Sequence, residues 1–127
     1  MRLLFALTCV ALAVATVAGE GNTSAAQQDG PKYTISDVMK KAHQGKMSLL
    51  KKVTSGKASD AECKDLLEMY VALAKNKPPQ GDADSWKKKT DALVDAAKLC
   101  VDGKKDDGVP KLNAASNCQG CHKAHKG

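Results

Sequence analysis

Large aromatic side chains are nearly missing from this sequence: it has one Trp, two Tyr and one Phe, and Phe5 lies in an N-terminal apolar run. A core built on aromatic packing is excluded, and one of Ala, Leu and Val is modest at this size, so a flat apolar prosthetic group would supply volume that the side chains do not. Arginine is scarce as well. Apart from Arg2 every basic residue is Lys, although the formal net charge is +6. Bidentate recognition of phosphates and base edges favours Arg, so nucleic-acid binding is not expected. Lys interspersed with Asp and Glu instead makes a solvated basic surface, suited to weak docking on acidic partners.

The one long apolar run, Leu3 to Ala18, follows Arg2 and ends in small residues before Glu20. It is shorter than the roughly 20 residues that span a bilayer, and it has the form of a secretory signal. Residues 1–19 are read as that signal, with cleavage between 19 and 26, which implies a periplasmic or secreted protein with no stable membrane insertion afterwards. Cys9 lies inside the run, whereas a lipoprotein cysteine would follow it. Residues 20–32 are small and polar, a flexible leader, and residues 33–127 form one domain.

Four helical segments, and no alternating strand pattern, follow from the apolar spacing. The first, about 35–55, carries Ile35, Val38, Met39, Ala42, Leu49, Leu50 and Val53, capped by Thr34 or Ser36 and stopped by Gly56. In the second, about 60–76, Ser59 and Glu62 make a capping box ahead of Cys63, Leu66, Leu67, Tyr70, Val71 and Ala74; Pro78 and Pro79 end it. The third, about 83–102, starts at Asp82 or Asp84 and runs through Trp86, Leu93, Val94, Ala97, Cys100 and Val101 to Gly103. After the polar loop GKKDDG, Pro110 suits a first helical turn, and Leu112, Ala115, Cys118 and His122 continue the period in a fourth helix. Four helices with short connections predict an all-α, antiparallel four-helix bundle.

The chemistry lies in CQGCH, Cys118 to His122. C-x-x-C-H is the attachment signature for c-type haem: two thiols three residues apart reach the two vinyl groups of one haem edge, and the next residue's imidazole comes under the iron as proximal ligand. Two other readings use the same residues. A redox C-x-x-C of the thioredoxin type needs a strand before it, in a mixed fold. A zinc site from Cys118, Cys121, His122 and His125 would bunch its ligands into an atypical geometry.

An N-terminal signal, four amphipathic helices and a single C-x-x-C-H near the C-terminus resemble the class II c-type cytochromes, the cytochrome c prime superfamily, over nearly all of the mature chain. The resemblance implies one haem c between the helices, and on the distal side a residue of the first helix: Met in low-spin, six-coordinate members, a non-ligating apolar residue in five-coordinate ones. Met39, His43 and Met47 follow at four-residue steps on one helical face. Met39, early in the helix and followed by Lys40 as in many low-spin members, is the first candidate and His43 the second. Ile35 stands where the family often has Arg.

His125, three residues beyond His122, is expected at the surface or beside a haem propionate. Trp86 and Tyr70 are expected in the core. Cys63 and Cys100, midway along the second and third helices, are candidate disulfide partners, with the bond left open. The expected function is one-electron transfer through His/Met-ligated iron to redox partner proteins with acidic docking surfaces, without substrate chemistry. The alternative is a five-coordinate binder of nitric oxide or carbon monoxide. Family members often dimerise through the first two helices.

Overall fold

The computed structural model describes residues 30–127. The expected signal, its expected cleavage window and the expected leader up to residue 29 lie outside them. The described residues form α1 (Ile35–Val38) running directly into a π-helical turn (Met39–His43), then α2 (Leu49–Thr54), α3 (Asp60–Lys75), α4 (Ala83–Val101), α5 (Lys105–Ala115) and α6 (Cys118–His125), with no strand among them. The all-α expectation holds. Two of the four expected helices are each divided in two.

The first division follows from Gly45. Its φ of +90° belongs to the left-handed region, and Gln44 before it is already extended, so the helix stops where the apolar period alone carries on to Leu49. Met47 consequently lies in the break and is 69% exposed, which removes it from the shared face expected with Met39 and His43. The second division lies at Asn117, whose backbone is extended and whose Oδ1 accepts from Gly120 N at 3.0 Å, a new N-cap just ahead of Cys118. The fourth segment also starts earlier than expected. Lys105–Gly108 is helical, with Asp106 and Asp107 in the first turn near the positive end of the dipole, and Pro110 sits inside α5.

The other termini are set as the residues suggest. Thr34 and Asp37 make a reciprocal capping box on α1, Ser59 and Glu62 make one on α3, and Asp82 accepts from Ser85 N at 2.8 Å on α4. Lys52 of α2 meets Glu62 Oε1 at 2.6 Å; this ammonium and the Ser59 N–H hold the Glu62 carboxyl below the usual carboxylate range.

Packing runs lengthwise from α3 onto α4 and from α4 onto α5, while α2 lies against α3 and α5, and α6 rests on α4. On α3 the buried face is Cys63, Leu66, Met69, Tyr70, Ala72 and Leu73, turned from the expected stripe so that Leu67, Val71 and Ala74 are only partly covered. On α4, Thr90 joins Trp86, Leu93, Val94, Ala96, Ala97 and Cys100 because its hydroxyl donates to Trp86 O at 3.0 Å, which lets a polar residue occupy the core. Tyr70 and Trp86 are the aromatic core side chains, as expected.

Small residues allow α4 and α5 to approach closely. A Cβ on Gly108 would lie 2.7 Å from Cys100 Sγ and 3.0 Å from its backbone N. Gly108→Ala is therefore expected to destabilise the fold by about 1–3 kcal/mol, an overpacking cost. Thermal unfolding followed by circular dichroism checks it, and an unchanged midpoint would mean that the two helices can separate freely there.

Candidate functional site

A cavity of about 1090 Å³ opens between α6, the start of α4 and the α1–π segment. That is at the upper end of the ~300–1,000 Å³ usual for small-molecule and cofactor sites. From α6 it is lined by Cys118, Cys121 and His122, from the α1–π segment by Ile35, Met39 and His43, and from α3 and α4 mainly by Leu73, Trp86 and Leu93. The residues that the sequence analysis expects on the two sides of a haem thus line one cavity. Its walls are mostly apolar, with imidazoles, lysines, the Asp82 carboxylate and polar side chains such as Gln44, Ser85 and Asn117 among them.

The two thiols of the motif are free: Cys118 is exposed and Cys121 half-buried, and burial pushes the Cys121 thiol above its ordinary pKa. Both are therefore available for covalent chemistry at the cavity wall. His122, next along α6, is exposed and lines the same wall. Lys89 Nζ donates to Gly120 O at 2.8 Å, fixing the motif's middle against α4.

His125 differs from its expectation. It is 2% exposed, its Nδ1 lies 3.2 Å from Gln80 O, its Nε2 lies 3.1 Å from Ser85 Oγ, and its ring meets Trp86 edge-on at 5.4 Å between centroids. A carbonyl can only accept, so Nδ1 carries a proton there, and in the neutral ring Nε2 accepts from the Ser85 hydroxyl. His125 is thus the pin that fastens the end of α6 to the α3–α4 loop. Gly81 in that loop, at φ +91°, passes so close that an added Cβ would lie 2.4 Å from Ala124 O. The sequence signal for this lay in Gly81, a residue type that allows such a close approach in a left-handed turn.

On the facing segment, the π turn keeps Val38 and Ala42 fully buried while Met39 and His43 reach the cavity. Burial, and then the neighbouring His122, lower the His43 pKa, favouring a neutral ring. Its Nε2 is buried with no hydrogen-bond partner, and the same is true of Ser48 Oγ and Tyr70 Oη.

The competing uses of the motif can be compared with this arrangement. Among the described residues no three His, Cys, Asp or Glu side chains are grouped to hold a bare metal ion, and His125 is engaged by Gln80 and Ser85. No strand precedes the C-x-x-C among the described residues. A haem asks for something else: two thiols on one edge, one imidazole beside them, an apolar slot and a second axial group opposite. The cavity's donor set and the orphaned His43 nitrogen fit that requirement. Cys63 and Cys100 are separate from the site; both are buried free thiols, raised by burial, and Cys100 is raised further by the adjacent Cys63.

No family model matches this chain, and no curated protein or solved structure matches it. The functional reading accordingly rests on the chain's own residues.

Proposed function

We propose that this chain is a monohaem c-type cytochrome that carries single electrons, built as a cytochrome c prime-like four-helix bundle in which α1 with α2, α3, α4, and α5 with α6 are the four arms. The observation that carries the reading is the placement of Cys118, Cys121 and His122 on one short helix along an apolar cavity large enough for a porphyrin. Cys118 and Cys121 would hold a haem covalently as thioethers, each thiol adding across a vinyl group with its proton passing to carbon. His122 would supply one ligand to the iron, and a side chain of the α1–π segment would supply another. The bound haem iron supplies a one-electron Fe(II)/Fe(III) couple.

The protein's part is to hold these groups still and to exclude water. His125, Lys89 and the Asn117 cap fix α6 at three places, so little reorganisation accompanies a change of charge. Lys88, Lys89 and Lys126 stand on the cavity wall, supporting electrostatic docking of acidic redox partners at low salt. Among the described residues no helix is long and apolar enough to cross a membrane. With the N-terminal signal this fits a periplasmic or secreted carrier that performs no substrate chemistry.

Redox titration of the purified full chain tests the function. A reversible single-electron step in the visible spectrum, with a reduced form that does not take up carbon monoxide, is the expected result. Ready carbon monoxide binding by the reduced wild-type protein would redirect the assignment to a gas binder with an open distal site.

A further inference from the structure

The sequence ranks Met39 ahead of His43 as the distal group. The packing around the two reverses that order. Both side chains reach the cavity that holds His122, but their chemical needs differ. A thioether is a weak acceptor and fills apolar space without a partner. An imidazole nitrogen buried without a partner is costly, and native folds keep such groups few and for a reason.

His43 Nε2 is such a group. Its ring neighbour Tyr70 lies 5.7 Å away between centroids, tilted by 46°, yet Tyr70 Oη is also unpartnered, so the two do not satisfy one another. Of the orphaned polar side chains found among the described residues, His43 alone lines the cavity. It also closes the π turn, in which Gln44 N bonds back to Met39 O at 2.9 Å; single π turns recur at functional sites because the extra residue redirects a side chain. The His43 ring therefore borders the cavity with a buried nitrogen that no group among the described residues satisfies.

We propose that His43 is the second axial ligand, so that the iron is held between His122 and His43 with Met39 packed beside the ring; this rests on the haem-binding reading above. Two imidazoles in place of an imidazole and a thioether also imply a lower reduction potential than the sequence alone suggests, because an axial Met raises it.

The ferric full-length holoprotein decides, by near-infrared magnetic circular dichroism and low-temperature electron paramagnetic resonance. The expected result is a low-spin bis-imidazole signature without a sulfur-to-iron charge-transfer band. Met39→Leu leaves it unchanged. His43→Gly turns high-spin and binds carbon monoxide when reduced, and millimolar imidazole restores the low-spin form. A sulfur-to-iron band in the wild type that is lost in Met39→Leu overturns the proposal, as does a high-spin wild type. A haem stain on a denaturing gel separates the two levels: stained protein with the wrong ligand signature refutes His43 alone, whereas an unstained chain refutes the cytochrome reading and the ligand assignment with it.

Discussion

With both Cys118→Ala and Cys121→Ala, the chain is expected to keep no haem through denaturation, while the wild type keeps all of it. The reason is that the described walls of the cavity offer no other thiol: Cys63 and Cys100 are buried between α3 and α4 and do not line it. Either single substitution leaves one thiol and therefore one thioether, so those chains still stain on a denaturing gel. In native buffer the double variant binds added haem reversibly through the imidazoles and the apolar walls. Its helices are still expected to form, because α3, α4 and α5 pack on one another through Leu66, Leu73, Leu93, Ala97 and Leu112 without help from the motif. A double variant that retained haem after denaturation would place the attachment elsewhere.

Gly81→Ala carries the second large effect, and the reason is a comparison among glycines. Gly45, Gly56 and Gly103 also have positive φ, but an added Cβ at any of them meets nothing within 4 Å. Alanine there costs only the left-handed backbone strain, about 1–2 kcal/mol. At Gly81 the same strain is joined by a collision with Ala124 O at 2.4 Å and with His125 Nδ1 at 2.6 Å. The first of these is backbone and cannot swing aside, so α6 has to leave its seat on the α3–α4 loop. Adding an overpacking cost of about 1–3 kcal/mol gives a total near 3 kcal/mol. That corresponds to a fall of roughly 10–20 °C in melting temperature, against roughly 5–10 °C for Gly103→Ala. The two variants measured side by side by circular dichroism test the pin directly. Equal losses would mean that the loop contact does not hold α6.

Loss of the pin has a functional consequence distinct from unfolding. His122 lies about one turn before His125, so a displaced helix end changes the angle at which the His122 imidazole is presented to the cavity. Gly81→Ala holoprotein is accordingly expected to retain its covalent haem but to bind carbon monoxide more readily than the wild type.

What the sequence made legible and what it hid have a common cause. Local chemistry was readable: the Ser59–Glu62 box, the Asp82 cap and the C-x-x-C-H motif each depend on residues within a few positions of one another. The all-α class followed from apolar spacing. Hydrophobic period, however, says nothing about whether the backbone between two apolar residues stays helical, so the interruptions at Gly45 and Asn117 passed unnoticed between Ala42 and Leu49 and between Ala115 and Cys118. Gly45 and Asn117 are themselves breaker and cap residues; their signals were present but outweighed by the period. The rotation of the buried face of α3 toward Met69 and Ala72 was set by α4, a tertiary partner that no window on α3 contains.

The site divides in the same way. Cys118, Cys121 and His122 lie in one contiguous stretch of sequence, and their shared place on one short helix at the cavity follows from that. The roles of His125 and His43 depend on residues 40 or more and 27 or more positions away, Ser85 with Gln80 and Tyr70 respectively. No motif announces that His125 is buried against Trp86 or that the His43 nitrogen is left without a partner. Those facts come from the packing of the loops and helices around the cavity.

The most direct test of the account is the intact mass of the secreted, purified wild-type chain under denaturing conditions, combined with thiol alkylation after reduction. The prediction is a mature polypeptide, freed of the signal that carries Cys9, heavier by one haem than its own residues, with Cys118 and Cys121 unreactive and Cys63 and Cys100 alkylated. A mass equal to that of the bare polypeptide, with Cys118 and Cys121 both alkylated, would contradict it.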